Sequence, residues 1–246
     1  LLQAYAEGGT AQARAVYDTE AKADPNLARL VASGDPIAQF MLQAPADDGG
    51  SADCVAFTHG AKFLYTPGYG WLKYTGTHWT TDGAEGELQE VVKDTLIQRR
   101  LLGVSAQRED IVKTCRVTAV RVRGIIYLLS SSLRASVSDF DAGADLLNVG
   151  NGVLDLRTSQ LTPHDPSQRF TYCLPTPYEP ATDTGAWEAW LSDTVGNDPA
   201  VLEYIQQAIG YSLTGHTWEE CLFYLYGPTR GGKGTLTETL LTLLGK

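Results

Sequence analysis

The sequence predicts an α/β protein, with a mixed α+β accessory domain followed by the start of a P-loop domain. Three observations predict it. Short aromatic and Thr-rich runs separated by turn residues read as a small antiparallel meander. Apolar residues then recur at three- and four-residue steps over a long stretch, and a second group of short strand-like runs follows. Last, the apolar run CLFYLY, Cys221 to Tyr226, leads directly into GPTRGGKGT and then into a leucine-patterned helix.

The elements follow in order. Residues 1–46 are Ala-rich, with helical pieces broken at Asp24-Pro25 and Asp35-Pro36. DDGGS, Asp47 to Ser51, reads as a linker. The segment AKFLYTPGYGWLKYTGTHWTTD, Ala61 to Asp82, is the meander; its Trp71, Tyr74 and Trp79 suit either base stacking or the packing of a small sheet. Leu88, Val91, Val92, Leu96 and Leu102 then mark a helix, with Gly103 as its expected stop. A second helical stretch carries Arg108, Lys113, Arg116, Arg121 and Arg123.

SDFDAGAD brings Asp139, Asp141 and Asp145 close together. A DxD pair can hold a catalytic metal, but acidic loops before strands are ordinary and no third ligand is evident. LLNVGNGVLDLRTSQLTPHD reads as strand, Gly-Asn-Gly turn, strand, turn and strand. Trp187, Trp190 and Leu191 stand at helical spacing and are expected in a core. Asp198-Pro199 opens the helix VLEYIQQAI, with Asp as N-cap, and Gly210 is its expected close. These breaks divide the chain into a helical leader (1–48), an α+β domain (49–182), a helical connector (183–216) and the P-loop start (217–246).

Composition narrows the function classes. The chain has 246 residues with 43% hydrophobic content, and contains no apolar run near the roughly 18 residues a membrane helix needs. Its opening, LLQAYAEGG, has neither the layout of a signal peptide nor an initiator Met, so the chain is expected to be a fragment at both ends. The four cysteines form no CxxC and the four histidines no metal spacing, which suits reduced thiols in a cytosolic protein. Net charge is −10, which excludes a protein that coats nucleic acid nonspecifically. The charge is unevenly spread: residues 93–134 carry 9 basic and 3 acidic groups, or +6, against −7 before them and −9 after. That positive segment is either a solvated helix face or a surface for phosphate backbones, with Arg116, Arg121 and Arg123 as candidate contacts to single-stranded DNA.

The GPTRGGKGT stretch matches GxxxxGK at Gly227, Gly232 and Lys233. Strand, glycine-rich loop and helix together suit a phosphate cradle. Glycines let backbone N–H groups wrap phosphate oxygens, the helix N-terminus adds positive potential, and a lysine reaches the terminal phosphates. Gly227, Gly231, Gly232, Lys233, Gly234 and Thr235 are therefore the expected ATP contacts, with Lys233 as the catalytic residue. Gly234 occupies the position where Ser or Thr usually meets Mg²⁺. Thr235, one residue later, takes that role, or the ion is held by the triphosphate and water.

From LLNVGNGVLDL through YIQQAIGYSLTGHTWEECLFYLYGPTRGGKGT, the chain resembles the phage and plasmid primase–helicase family, related to the poxvirus primase–helicase. In that family an accessory domain with an NGVLDL-type segment and a GYxLTG segment precedes a superfamily 3 ATPase opening on a GxxxNGK-type loop. Gly231 stands where the family has Asn, and YGWLKYTGTHW resembles the family's start. The likeness spans roughly residues 50–246. It implies an ATP-driven replicative DNA helicase with a P-loop ATPase domain, using Mg²⁺, working as a homo-oligomeric ring on DNA in the host cytoplasm. It also implies that the water-activating acid and the arginine finger lie beyond Thr235, so that this chain alone is inactive. Two other readings are a P-loop nucleotide phosphotransferase and a non-catalytic module for DNA binding or oligomerisation.

Overall fold

A computed structural model describes residues 29, 34–181 and 183–245, so the expected break at Asp24-Pro25 lies outside the described residues. The described residues form a mixed α+β fold of eight α-helices and two small three-stranded sheets. The chain divides into two compact units, one of residues 1–73 and 81–137, the other of residues 74–80 and 138–246.

The first unit opens with α1 (Pro36–Gln43), where Asp35 accepts a hydrogen bond from the Ala38 amide at 2.9 Å. The expected linker DDGGS instead starts α2 (Asp48–His59). Asp47 is its N-cap, accepting from the Gly50 N–H at 2.7 Å, and an N-cap carboxylate outweighs two glycines inside a first turn. The hairpin β1 (Phe63–Thr66) and β2 (Gly70–Tyr74) follows, with Tyr65 opposite Trp71. Helix α3 (Ala84–Ser105) runs through Gly103 rather than stopping there. The basic stretch then splits into α4 (Glu109–Thr114) and α5 (Ala119–Ser132).

The period read from the sequence is the period of burial. Leu88, Val92 and Leu96 of α3 meet Val55, Phe63, Ile111, Ile125 and Leu129 in one fully buried cluster. Each such side chain contributes about 1.5–3 kcal/mol on leaving water. Cys54 and Cys115 are buried too; desolvation pushes the Cys54 thiol up to about 11 and the Cys115 thiol in the same direction.

At the centre of this unit lies a charge. Arg99 of α3 is 0% exposed. Its guanidinium donates to the carbonyls of Met41 (2.9 Å), Ala44 (2.5 Å) and Pro45 (2.6 Å), and to Ser51 Oγ (2.9 Å). The carbonyls belong to the last turn of α1 and the residues after it, where a helix leaves acceptors unpaired and its dipole is negative. A planar fork of five donors suits several acceptors at once; an ammonium reaches fewer. We predict that Arg99→Lys lowers the urea-unfolding free energy by about 3 kcal/mol or more, because buried carbonyls lose a charged donor. A change below about 1 kcal/mol would show that water replaces the fork.

The second unit begins at a turn in which Thr75 N–H donates to the His78 carbonyl at 2.9 Å, leading into β3 (Trp79–Thr80). Trp79 is buried and donates from Nε1 to the Pro166 carbonyl at 2.9 Å, while Trp71 in the first unit is also buried, so both are packing residues. Strands β4 (Leu146–Val149), β5 (Gly152–Asp155) and β6 (Gln160–Thr162) form the expected antiparallel set. Gly152 closes the two-residue turn with φ +155°, and a Cβ there would stand 2.4 Å from the Thr162 carbonyl oxygen. Asn148 of β4 is fully buried and satisfied: its amide donates to the Thr77 and Tyr172 carbonyls, and its oxygen meets His164 Nδ1.

Two helices follow, α6 (Gly185–Thr194) and α7 (Pro199–Ser212). Asp198 caps α7 by accepting from the Ala200 and Val201 amides, and the helix passes Gly210 to end at Ser212. Trp187 and Trp190 are half-buried rather than in a core, with their rings tilted against each other at 5.0 Å, while Leu191 beside them is buried. The chain then passes through Cys221–Tyr226 without forming the expected buried strand. Leu222 is 89% exposed and Tyr226 84%. Strand geometry needs a neighbouring ladder to take its N–H and C=O groups, and no described residue forms a ladder with this run.

Candidate nucleotide-binding site

The glycine-rich loop sits at the start of α8 (Lys233–Leu243), whose buried anchor is Leu236. The turn is closed by the Gly231 amide on the Pro228 carbonyl at 3.1 Å. Lys233 Nζ folds back to donate to the carbonyls of Gly227 (3.0 Å) and Pro228 (2.8 Å). The ammonium therefore hangs over the loop, held by two neutral acceptors that a phosphate oxygen would outcompete.

Gly232 is required twice over. Its φ is +75°, and a Cβ there would lie 2.6 Å from Thr194 Cγ2 and 3.3 Å from Trp190 Cζ2. The last turn of α6 therefore sits hard against the loop. A cavity of about 880 Å³ opens there, lined by Trp190, Asp193, Thr194, Thr229–Arg230 and the run Gly231–Thr235. Of the expected contacts, Gly231, Gly232, Lys233, Gly234 and Thr235 line this one space, while Gly227 bonds the lysine from the other side of the turn. The hydroxyl of Thr235 and the carboxylate of Asp193 are hard oxygen donors suited to Mg²⁺ held mainly by phosphate and water. Asp193 and Trp190 were not legible as site residues, because they precede the loop by some forty positions.

The acidic trio does not converge. Asp139 pairs with Arg169, and Asp141 accepts from the Thr171 amide and hydroxyl. Asp145 takes His216 Nε2 at 2.8 Å and Arg157 Nε at 2.8 Å, and the His216 hydrogen bond, with Arg157 behind it, holds its carboxyl below the usual range. Among the described residues no three His, Cys, Asp or Glu side chains are placed to share a metal.

The basic segment is mostly engaged. Arg99 is buried, Arg108 pairs with Asp110, Lys113 with Glu109, Lys93 with Glu90, and Arg121 with Asp48 at 2.7 Å. Arg116 and Arg123 are exposed, with no carboxylate partner among the described residues. Arg116 lies in the loop before α5, whereas Val120 and Tyr127 share the outward face of α5 with Arg123, at 75% and 76% exposure.

The architecture is a mixed α+β one, with a strand–turn–strand motif from Leu146 to Asp155. The family model described as "D5 N terminal like" matches residues 52–196, more than half of the chain, and the chain belongs to this family, which is associated with replicative primase–helicase proteins. The match ends before the glycine-rich loop. No curated protein matches the chain.

The geometry makes a sharp contrast between two glycines of the loop. Gly232→Ala should cost about 1–2 kcal/mol in urea unfolding, from the left-handed backbone alone, and should alter the near-ultraviolet circular dichroism of the adjacent tryptophan pair. Gly234→Ala, in open space inside α8, should be neutral or slightly stabilising. Equal stability of the two variants would mean that Gly232 does not need its left-handed backbone, and an unchanged near-ultraviolet spectrum in Gly232→Ala would mean that the contact with α6 does not form.

Proposed function

We propose that this chain is part of an ATP-dependent replicative DNA helicase of the primase–helicase type, with the loop from Gly227 to Thr235 as its phosphate cradle. The observation that carries the reading is the formed loop. Lys233 stands over a glycine turn at a helix N-terminus, in one chain with a primase–helicase accessory domain.

In this reading the amides of Gly232 and Gly234 turn toward phosphate oxygens, where the helix dipole adds attraction. Lys233 exchanges its two carbonyls for the β- and γ-phosphates. Mg²⁺ would neutralise charge on the triphosphate, with Thr235 as its protein ligand. The cavity offers one carboxylate, Asp193, so the acid that orients water and the arginine finger come from elsewhere in the intact protein or from a neighbour in a homo-oligomeric ring. DNA approaches the exposed side of α5 and of the loop before it, where Arg123 and Arg116 have no carboxylate partner among the described residues and Tyr127 is open to a base.

Two measurements test this. In the intact protein, Lys233→Ala should abolish ATP hydrolysis with the far-ultraviolet circular dichroism unchanged; undiminished turnover would remove the loop from catalysis. Turnover without stimulation by single-stranded DNA would favour a nucleotide phosphotransferase, and nucleotide binding without turnover a non-catalytic module.

For DNA, Arg116→Ala with Arg123→Ala should weaken binding of labelled single strands. The log–log salt slope should flatten by about 0.7 for each phosphate that is no longer neutralised. Arg121→Ala, whose partner is Asp48, should leave the slope alone and lower stability instead. If the double variant binds and responds to salt as the parent does, DNA lies elsewhere.

A further inference from the structure

Trp190 is a large aromatic residue with no core to fill. It lies on α6, half-buried, with its Cζ2 edge 3.3 Å from where a Gly232 Cβ would stand. It lines the polar cavity of the loop, and it also lines a second, smaller cavity of about 350 Å³ with Val201, Ile205, Tyr224 and Tyr226. The two spaces share Trp190, Thr194, Gly231, Gly232 and Lys233. One is polar and carries the ammonium; the other is walled by aromatic and aliphatic side chains. A ligand that fits both has an anionic end and a flat apolar end.

We propose that Trp190 is the base platform of this site, and that its ligand is a purine nucleoside 5′-triphosphate whose ring stacks on the indole while its phosphates enter the loop. This deepens, and rests on, the reading of the loop as a phosphate cradle. A purine presents a two-ring π-face to the indole, and such stacking tolerates different edge substituents. Trp187, packed on Trp190 at 5.0 Å, fixes the indole so that little rotamer freedom is lost on binding. Gly232 lets α6 approach the loop, since a Cβ there would press on Thr194 Cγ2 at 2.6 Å and then on the indole edge at 3.3 Å. A preference for a purine over a pyrimidine therefore comes from a helix that precedes the phosphate loop in sequence, while affinity for phosphate comes from the loop itself.

The test separates base from phosphate by using ATP and inorganic tripolyphosphate as probes on the 246-residue chain, with titration calorimetry as the readout. Trp190→Ala should weaken ATP by a factor of roughly 5 to 100, the range expected for one base–aromatic stack, and leave tripolyphosphate within about twofold. Trp190→Phe, which keeps a π-face, should retain most of the ATP affinity; Trp190→Leu, which keeps apolar bulk alone, should not. ATP should exceed CTP in the parent and lose that margin in Trp190→Leu. Lys233→Ala should weaken ATP and tripolyphosphate together.

Equal weakening of both probes by Trp190→Leu would make the indole a prop for the loop and overturn the proposal. So would ATP binding unchanged in Trp190→Leu and Trp190→Ala. Those two results leave the cradle standing. Failure of the parent chain to bind either probe would instead overturn the cradle, and the base platform with it.

Discussion

A charge placed where water cannot reach it governs the first unit. Arg99 holds the end of α1, the start of α2 and the middle of α3 with one side chain, because its donors are committed to the Met41, Ala44 and Pro45 carbonyls and to Ser51. The apolar cluster around Leu88 and Ile125 would tolerate small slips of one helix on another, since dispersion contacts are non-directional. Hydrogen bonds to a rigid planar fork do not. The guanidinium fixes the register that the hydrophobic period leaves loose, and the α5 face that displays Arg123 and Tyr127 is built on that frame.

The second unit solves a different problem. Its three-stranded sheet is small, and polar connections tie its segments together. Asn148 joins β4 to the Thr75–His78 turn and to Tyr172, and Asp145 joins the lead into β4 to His216 after α7. Three acids that are neighbours in sequence thereby become three separate ties. The chemistry left over collects at one place, where α6 meets the glycine turn. A lysine, a threonine hydroxyl, a carboxylate and an indole face one space there.

Much of this was legible in the sequence, for identifiable reasons. The meander, the three strands around Gly152, the break at Asp35-Pro36 and the cap at Asp198 are local codes, set by alternation, turn residues and side-chain hydrogen bonds within three positions. The glycine loop was legible because its spacing is itself the geometry. What escaped was non-local. A charge count treats each arginine as solvated, so it could not separate Arg99, buried, or Arg121, paired with Asp48, from Arg116 and Arg123. DDGGS reads as a linker by composition, yet Asp47 turns it into a helix start. CLFYLY has the composition of an inner strand, but a strand exists only where another backbone accepts it. Trp190 and Asp193 become site residues only when α6 folds onto a loop far along the chain.

That meeting of helix and loop has a mechanical meaning. Thr194 and Gly232 approach so closely that no side chain fits between them. Helix α6 lies within the stretch matched by the family, and the loop lies after it. An interface without slack transmits displacement instead of absorbing it, since close-packed groups resist compression. If the loop is the phosphate cradle proposed above, ordering it around a phosphate would push on the end of α6, and releasing it would free that helix end.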